Sequence, residues 1–371
     1  MSSLLFSPIE LGRLRLSNRI IVSPMCQYSA EDGNAGDWHR VHLGQMAQSA
    51  AGMLLLEATA VEDIGRITHG CLGLYSDANE AALGAVLESV RKMGSLPIGV
   101  QLAHAGRKGS SARPWDGGGL IGTSDGGWTP VAPSALPHAD GEAAPAELDS
   151  AGLARIRQAF VRSAQRAVRI GLQSIELHVA HGYLLHQFLS PLANQRGDAY
   201  GGSAQARMRF PLEVFDAVRQ AVPDSVPVGV RVSATDWVEG GLDVEQTSAF
   251  ALELKAHGCA WIDVSSGGVS PRQRIPVGPG YQVHLAQAVR EACGLPTMTV
   301  GLITEPRQAE DIVREGRADM VALARAMLWD PRWPWHAAAA LGASVEVPPQ
   351  YWRSEPRDAR GVFAHASIGQ R

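Results

Sequence analysis

The sequence predicts an α/β protein: a single (β/α)8 TIM barrel with an N-terminal hairpin plug and a long loop after the third strand. Three observations lead there. Eight short apolar, β-branched runs recur along the 371 residues, most of them continuous in the way that strands buried on both faces must be. Segments of helical periodicity separate the runs, and strand–helix alternation builds a parallel sheet. Eight such units in a chain of this length close into a barrel. An open, doubly wound sheet advertises a Gly-x-Gly-x-x-Gly turn after a strand, and none stands here.

Residues 4–18 (LLFSPIELGRLRLSN) read as a hairpin turning near Gly12-Arg13, placed to plug the N-terminal end of the barrel. The strand runs are 19–25, 53–58, 97–103, 174–178, 227–232, 261–265, 296–300 and 320–324. The clearest helix is 151–170: Leu153, Ile156, Phe160, Val161 and Ala164 fall on one stripe, with Arg155, Arg157, Arg162 and Gln165 elsewhere. Asp149 or Ser150 is the expected cap. Residues 244–257 and 305–315 read the same way. Gly171, Gly258 and Gly316 follow the last turns of these three helices, where a left-handed residue is needed. Residues 106–148, rich in Gly, Pro and Trp, leave the third strand on the C-terminal face and read as a partial lid. Residues 346–371 form a C-terminal tail, and the whole of 1–371 reads as one domain.

Composition narrows the function. A hydrophobic fraction of 45% and a charged fraction of 19% suit a globular chain with a substantial core. A net charge of -4 gathers no phosphates, so a nucleic-acid partner is not expected. No apolar run approaches a membrane span, and MSSLLFSPIE lacks the basic start and apolar stretch of a signal peptide. Cys26, Cys71, Cys259 and Cys293 lie far apart with no Cys-x-x-Cys, which points to free thiols in a reducing cytoplasm.

Barrel active sites collect at the C-terminal ends of the strands. The first strand delivers Ser23, Pro24, Met25, Cys26 and then Tyr28; the second, Glu57 to Ala60; the third, Gln101, His104, Arg107 and Lys108. The fourth delivers His178, His181 and Tyr183, the fifth Arg231, the seventh Gly301, and the eighth Ala324 and Arg325. Imidazoles beside a phenol can hydrogen-bond a developing oxyanion and hand over a proton. Loops after strands seven and eight often hold a phosphate, for which Gly301 gives backbone access and Arg325 charge. Three other readings remain at this point. His178-x-x-His181 is a possible metal pair but lacks a third strong ligand, so no metal is expected. Lys108 is a possible Schiff-base lysine, but sits in a Gly-rich loop. Cys26 is a possible nucleophile or simply a small buried residue.

The motifs Ser23-Pro-Met-Cys-Gln-Tyr28, Gln101-Leu-Ala-His-Ala-Gly-Arg-Lys108, Trp128-Thr-Pro-Val-Ala-Pro-Ser134 and residues 178–202 (HVAHGYLLHQFLSPLANQRGDAYGG) resemble the Old Yellow Enzyme family of FMN-dependent ene-reductases, closest to its bacterial xenobiotic-reductase branch. The resemblance runs from about Leu5 to Arg353. It implies non-covalent FMN reduced by NAD(P)H, which then leaves so that an α,β-unsaturated carbonyl or nitro compound is reduced in a ping-pong cycle. It implies that His178 and His181 bind the substrate oxygen and that Tyr183 protonates the α-carbon after hydride reaches the β-carbon. Cys26 then tunes the flavin and Tyr28 contacts substrate. Ser23, Pro24, Met25, Ala60, Gln101 and Arg231 hold the ring, and Gly301, Ala324 and Arg325 the phosphate. It also implies a homodimer or higher homo-oligomer in which Arg353, after Pro348-Pro349-Gln350-Tyr351-Trp352, reaches a neighbouring subunit's site. Ala206 stands where many members carry Asn before the Arg at Arg207, which touches a structural hydrogen bond rather than the chemistry. Another FMN barrel, such as a dihydroorotate-type dehydrogenase, or a non-redox phosphate-ligand barrel is the alternative.

Overall fold

The computed structural model describes residues 2–367. Strands β1 (Ile9–Leu11) and β2 (Leu14–Leu16) form the N-terminal hairpin, Ile9 opposite Leu16 and Leu11 opposite Leu14. The turn falls at Gly12-Arg13, with Gly12 at φ +56°. The barrel opens with β3 (Ile20–Val22), β4 (Met53–Ala60) and β5 (Ile98–Ala103). The small parallel pair β6 (Val131–Ala132) and β7 (Ala146–Glu147) lies in the long connection that follows. The barrel continues with β8 (Ser174–Val179), β9 (Val228–Ser233), β10 (Ile262–Ser265), β11 (Thr297–Thr299) and β12 (Met320–Leu323). The eight long-range strands are parallel, and β12 pairs with β3 to close the ring. Every residue of these eight strands is buried, which is why they read as unbroken apolar runs rather than alternating ones.

All eight expected strands form. The first is shorter than 19–25 because Pro24 has no N–H for the ladder; the last bond runs from Ser23 N to Leu323 O at 3.0 Å. The second runs on to Ala60, and its register against β5 shifts between Leu56 and Ala58. That bulge frees Glu57 to accept from the Gln27 N–H at 3.0 Å.

The helices are α1 (Asp37–Ala47), α2 (Asp77–Val90), α3 (Ser150–Arg169), α4 (Leu184–Leu189), α5 (Ala204–Ala221), α6 (Val244–Ala256), α7 (Val283–Cys293), α8 (Pro306–Arg314), α9 (Arg325–Trp329) and α10 (Trp333–Leu341). Asp149 caps α3 through Gly152 N at 2.7 Å. Gly171, Gly258 and Gly316, at φ +76°, +88° and +69°, follow α3, α6 and α8 as expected. No helix among the described residues is long and apolar enough to cross a membrane.

Leu11 and Leu16 of the hairpin join Met53, Leu55, Trp261, Met298 and Met320 in one apolar cluster. Met53 and Met320 begin their strands, so the hairpin plugs the N-terminal end of the barrel. Residues 106–148 fold into short 3-10 turns and the β6–β7 pair rather than an irregular loop. They are tied across the barrel mouth by Trp128 Nε1 to Ile64 O at 2.9 Å and Arg107 Nη2 to Val269 O at 2.7 Å.

The tail folds onto its own chain. Within the chain, Tyr351 packs edge-on to Trp335 at 5.4 Å and donates to Gln48 Oε1 at 3.1 Å. Trp352 joins the same cluster with Val345, Val347, Val362 and Phe363. Gln48 ends α1, on the N-terminal side of β4, so the tail packs on its own barrel at the end opposite His178. Its aromatics are half-buried there because Trp335 and Phe363 leave an apolar seat, and only Arg353 of the trio is exposed. Residues 368–371 of the expected tail lie outside the described residues.

Candidate active site

The site grows out of the turn after β8. His178 is the strand's penultimate residue, buried in the barrel mouth. His181 and Gly182 then take left-handed conformations, φ +57° and +72°. Only glycine fits at 182, since a Cβ would lie 2.1 Å from Gly268 O. The double turn reverses the chain and brings Tyr183 to the N-cap of α4. The His178 ring therefore meets His181 edge-on at 5.0 Å and Tyr183 edge-on at 4.9 Å.

Burial, reinforced by Arg231, holds both imidazoles well below the usual histidine range, so both are neutral near pH 7. Their hydrogen bonds assign the tautomers. His178 Nδ1 accepts from Ala180 N–H at 3.2 Å, so its proton sits on Nε2. That atom lies 3.3 Å from His181 Nδ1, and His181 Nε2 lies 2.7 Å from Ser265 Oγ. His178 Nε2 and His181 Nδ1 thus face one small volume. The Ser265 hydroxyl donates to Gln282 Oε1 at 3.4 Å; when it turns to donate to His181 Nε2 instead, both imidazoles donate into that volume. Burial also pushes the Tyr183 phenol well above its usual range, with Cys26 and Tyr28 adding to the shift, so it holds its proton.

A second layer fixes the turn. His186 Nδ1 accepts from Gly182 N–H at 2.8 Å, leaving Nε2 to face Asp236 Oδ1 at 3.0 Å. Asp236 Oδ2 accepts from Ser190 Oγ at 2.6 Å and Leu242 N at 2.7 Å. Burial works against that carboxylate, but His186, Ser190 and the Leu242 N–H hold it below the usual range. Downstream, Arg207 donates to Leu189 O at 2.7 Å, Gly202 O at 2.6 Å and Gln246 Oε1 at 2.8 Å, so Ala206 leaves the α4–α5 connection tied.

The residues expected to hold a flavin lie in the barrel mouth beside this set. Arg231 is buried, with Nη1 3.3 Å from Ser23 Oγ and Nε 3.2 Å from Asp263 Oδ2. The Nε contact is poorly aligned for a hydrogen bond, so the guanidinium keeps donors for another acceptor. Gln101 Nε2 donates to Glu176 Oε1 at 2.8 Å, and Trp261 Nε1 lies 3.2 Å from Glu176 Oε2. Burial, with Asp263 adding to it, raises the Glu176 carboxyl, which keeps a second negative charge away from Asp263. Gly301, at φ +129°, leaves a gap where a Cβ would meet Tyr281 at 2.9 Å. It lies two residues past β11, next to β12 and the exposed Arg325, whose guanidinium forms no ion pair among the described residues. Spare buried donors beside Ser23, with a glycine whose position admits no side chain and a free cation near the next strand ends, fit an anionic ring-and-phosphate ligand such as FMN.

Cys26 and Tyr28 lie together at the end of β3. Burial raises the Cys26 thiol well above its usual range, so no thiolate nucleophile stands there. Tyr28, at φ +51°, meets the Trp115 edge at 5.8 Å. Pro24, Met25, Ala60 and Ala324 fall at the same strand ends. Arg353 does not reach this chain's site. Sequence reasoning missed Ser265, His186 and Asp236. Ser265 ends the run 261–265, and a hydroxyl at a strand end was its available signal; nothing local marks His186 or Asp236, which meet only in three dimensions.

The chain is similar to known flavin oxidoreductases. The model of the NADH:flavin oxidoreductase / NADH oxidase family matches residues 4–343. An NADPH dehydrogenase of Geobacillus thermodenitrificans is 43% identical over 355 residues, covering 95% of this chain and 99% of that one. The solved morphinone reductase in complex with tetrahydroNAD superposes with a TM-score of 0.74 at 27% identity, covering 99% of this chain and 98% of that one. A 2-naphthoyl-CoA reductase superposes with a TM-score of 0.81 at 25% identity; the match covers 92% of this chain but only 52% of that longer one.

Proposed function

Since this chain belongs to the NADH:flavin oxidoreductase / NADH oxidase family and is an NAD(P)H-dependent flavin oxidoreductase of Old Yellow Enzyme type that uses FMN, we propose that it reduces the activated C=C bond of α,β-unsaturated carbonyl or nitro compounds. The observation that carries this reading is the pairing of two neutral imidazole nitrogens, 3.3 Å apart, with a phenol that holds its proton beside them.

Bound FMN supplies a hydride drawn from NAD(P)H. The chain's residues do the rest. His178 Nε2 and His181 Nδ1 hold the carbonyl or nitro oxygen and stabilise the negative charge that develops on it. Neutral imidazoles suit this work: they donate without surrendering a proton to the oxygen. When the Ser265 hydroxyl donates to His181 Nε2, that ring takes the tautomer the oxygen needs. Tyr183 Oη then gives its proton to the α-carbon. Arg231, Ser23 and Gln101 would hold the ring, Gly301 and Arg325 would hold the phosphate, and Cys26 would tune the flavin. The long connection over residues 106–148 limits water at the mouth.

The purified protein tests this directly. It should be yellow, bleach with NADPH without oxygen, and recolour on adding cyclohexenone with cyclohexanone formed in equal amount. Recolouring by oxygen alone, with cyclohexenone returned unchanged, would remove the ene-reductase reading and leave the flavin oxidoreductase.

A further inference from the structure

Lys108 is a half-buried cation that the proposed chemistry leaves unused. It ends the 3-10 turn Gly106–Lys108 at the mouth of β5. Its Nζ donates to His181 O at 3.0 Å and Gly268 O at 3.1 Å, and stands over the Tyr183 ring, 5.1 Å from the centroid. Among the described residues it forms no ion pair. An ammonium kept from water without a carboxylate partner is costly, and two carbonyls and an aromatic face return only part of that cost. A neutral side chain of the same length would fill the space more cheaply. The charge therefore has a use at a moment when a negative charge stands beside it. One group in contact with it can become an anion during turnover: the Tyr183 phenol.

We propose that Lys108 is a positioning residue for the proton transfer, its ammonium stabilising the phenolate that Tyr183 becomes when it gives its proton to the substrate. This rests on the reading of Tyr183 as the acid. The balance is simple. A hydride enters at the β-carbon, the Tyr183 O–H bond breaks and its proton forms the new C–H bond at the α-carbon, and the phenolate later regains a proton from water.

The groups that face Lys108 are Tyr183, His178, His181, His138, Arg107 and Glu142. Burial, with Arg107 adding to it and Glu142 opposing, lowers the Lys108 ammonium to about 8. The three histidines are lowered, Tyr183 is raised, and burial lowers Arg107 to about 10, where it keeps its charge. Of this set Lys108 alone changes charge close to pH 8.

Four holoenzymes decide it: wild type, Lys108→Met, Tyr183→Phe and the double variant. Each is reduced anaerobically with NADPH and mixed with cyclohexenone in a stopped-flow instrument, after flavin content and circular dichroism show that it is folded and loaded. Lys108→Met should slow reoxidation about tenfold, the worth of a partly desolvated cation–aromatic contact. In the Tyr183→Phe background the same change should cost nothing further, because no phenolate forms. The wild-type rate should also fall above pH 8, and Lys108→Met should lack that limb. An equal loss in both backgrounds makes Lys108 a clamp on the His181 carbonyl and overturns the proposal; so does an undiminished rate in Lys108→Met. A Tyr183→Phe enzyme as fast as wild type removes the acid role itself, and the inference with it.

Discussion

Tyr183 and the two histidines divide the work at the scale of single residues. Tyr183→Phe should leave reduction by NADPH nearly intact and slow reoxidation by enones, by roughly 10²–10⁴-fold for a positioned general acid. Protonation by water favours the lower end. Stopped-flow traces showing equal losses in both half-reactions would contradict the role. His178→Ala and His181→Ala should each weaken binding of para-hydroxybenzaldehyde, whose phenolate mimics the oxyanion. The double variant should cost less than the sum of the two, because both donors serve one oxygen. A titration in which either variant binds as tightly as wild type would make that histidine structural. Ser265→Ala removes the hydroxyl that lies 2.7 Å from His181 Nε2, and should weaken the same ligand by about the worth of one hydrogen bond, roughly 0.5–1.5 kcal/mol. Unchanged affinity would show that His181 keeps the right tautomer unaided.

At the scale of elements, the turn between β8 and α4 is what makes these residues a site. Its shape depends on Gly182 and on the His186–Asp236 pair behind it. Gly182→Ala forces a Cβ against the Gly268 carbonyl, where backbone cannot give way, and asks alanine for φ +72°. A destabilisation of roughly 1–3 kcal/mol is expected, read as a lower urea midpoint, with loss of phenolate binding. A variant with the wild-type midpoint would show that the β10 loop moves freely, and the turn would lose its claim to set the geometry. The helices matter less here: α3 and α6 cover the barrel, and their caps and glycines do not touch the chemistry.

At the scale of the whole molecule, buried histidines tie stability to pH. His42, His138, His178 and His181 are all lowered by burial, His42 and His138 to about 4. Below about pH 6.5 the unfolded chain binds protons that the native one refuses, so stability falls as pH falls through that value. Glu176 and Asp263, both raised by burial, act in the opposite sense but are fewer. The urea midpoint should therefore drop from pH 7.5 to pH 5.5; a flat or rising midpoint would mean that these imidazoles are charged in the native state. The tail is a whole-molecule question too. Tyr351 and Trp352 pack on their own barrel, so any reach into a neighbouring subunit rests on exposed Arg353 alone. Arg353→Ala should keep the thermal midpoint and raise KM for enones if two chains share their sites; unaltered kinetics would leave Arg353 a surface residue.

The amino-acid order determined the barrel, because parallel strands covered on both sides must be apolar without interruption, and such runs stand out at Met53–Ala60 and Ser174–Val179. It also determined which residues reach the mouth, since strand ends follow from strands: Ser23, Gln101, His178 and Arg231 were all legible that way. Tertiary structure alone decided how they meet. A left-handed His181 is invisible in a sequence, because histidine does not demand that conformation as glycine at a turn does. Ser265, Asp236 and Lys108 act on a turn built far from them in the chain, and the tail's aromatics found Trp335 rather than solvent. Local patterns record what a residue's own segment requires; they carry no record of which distant segment will supply its hydrogen-bond partner or its charge.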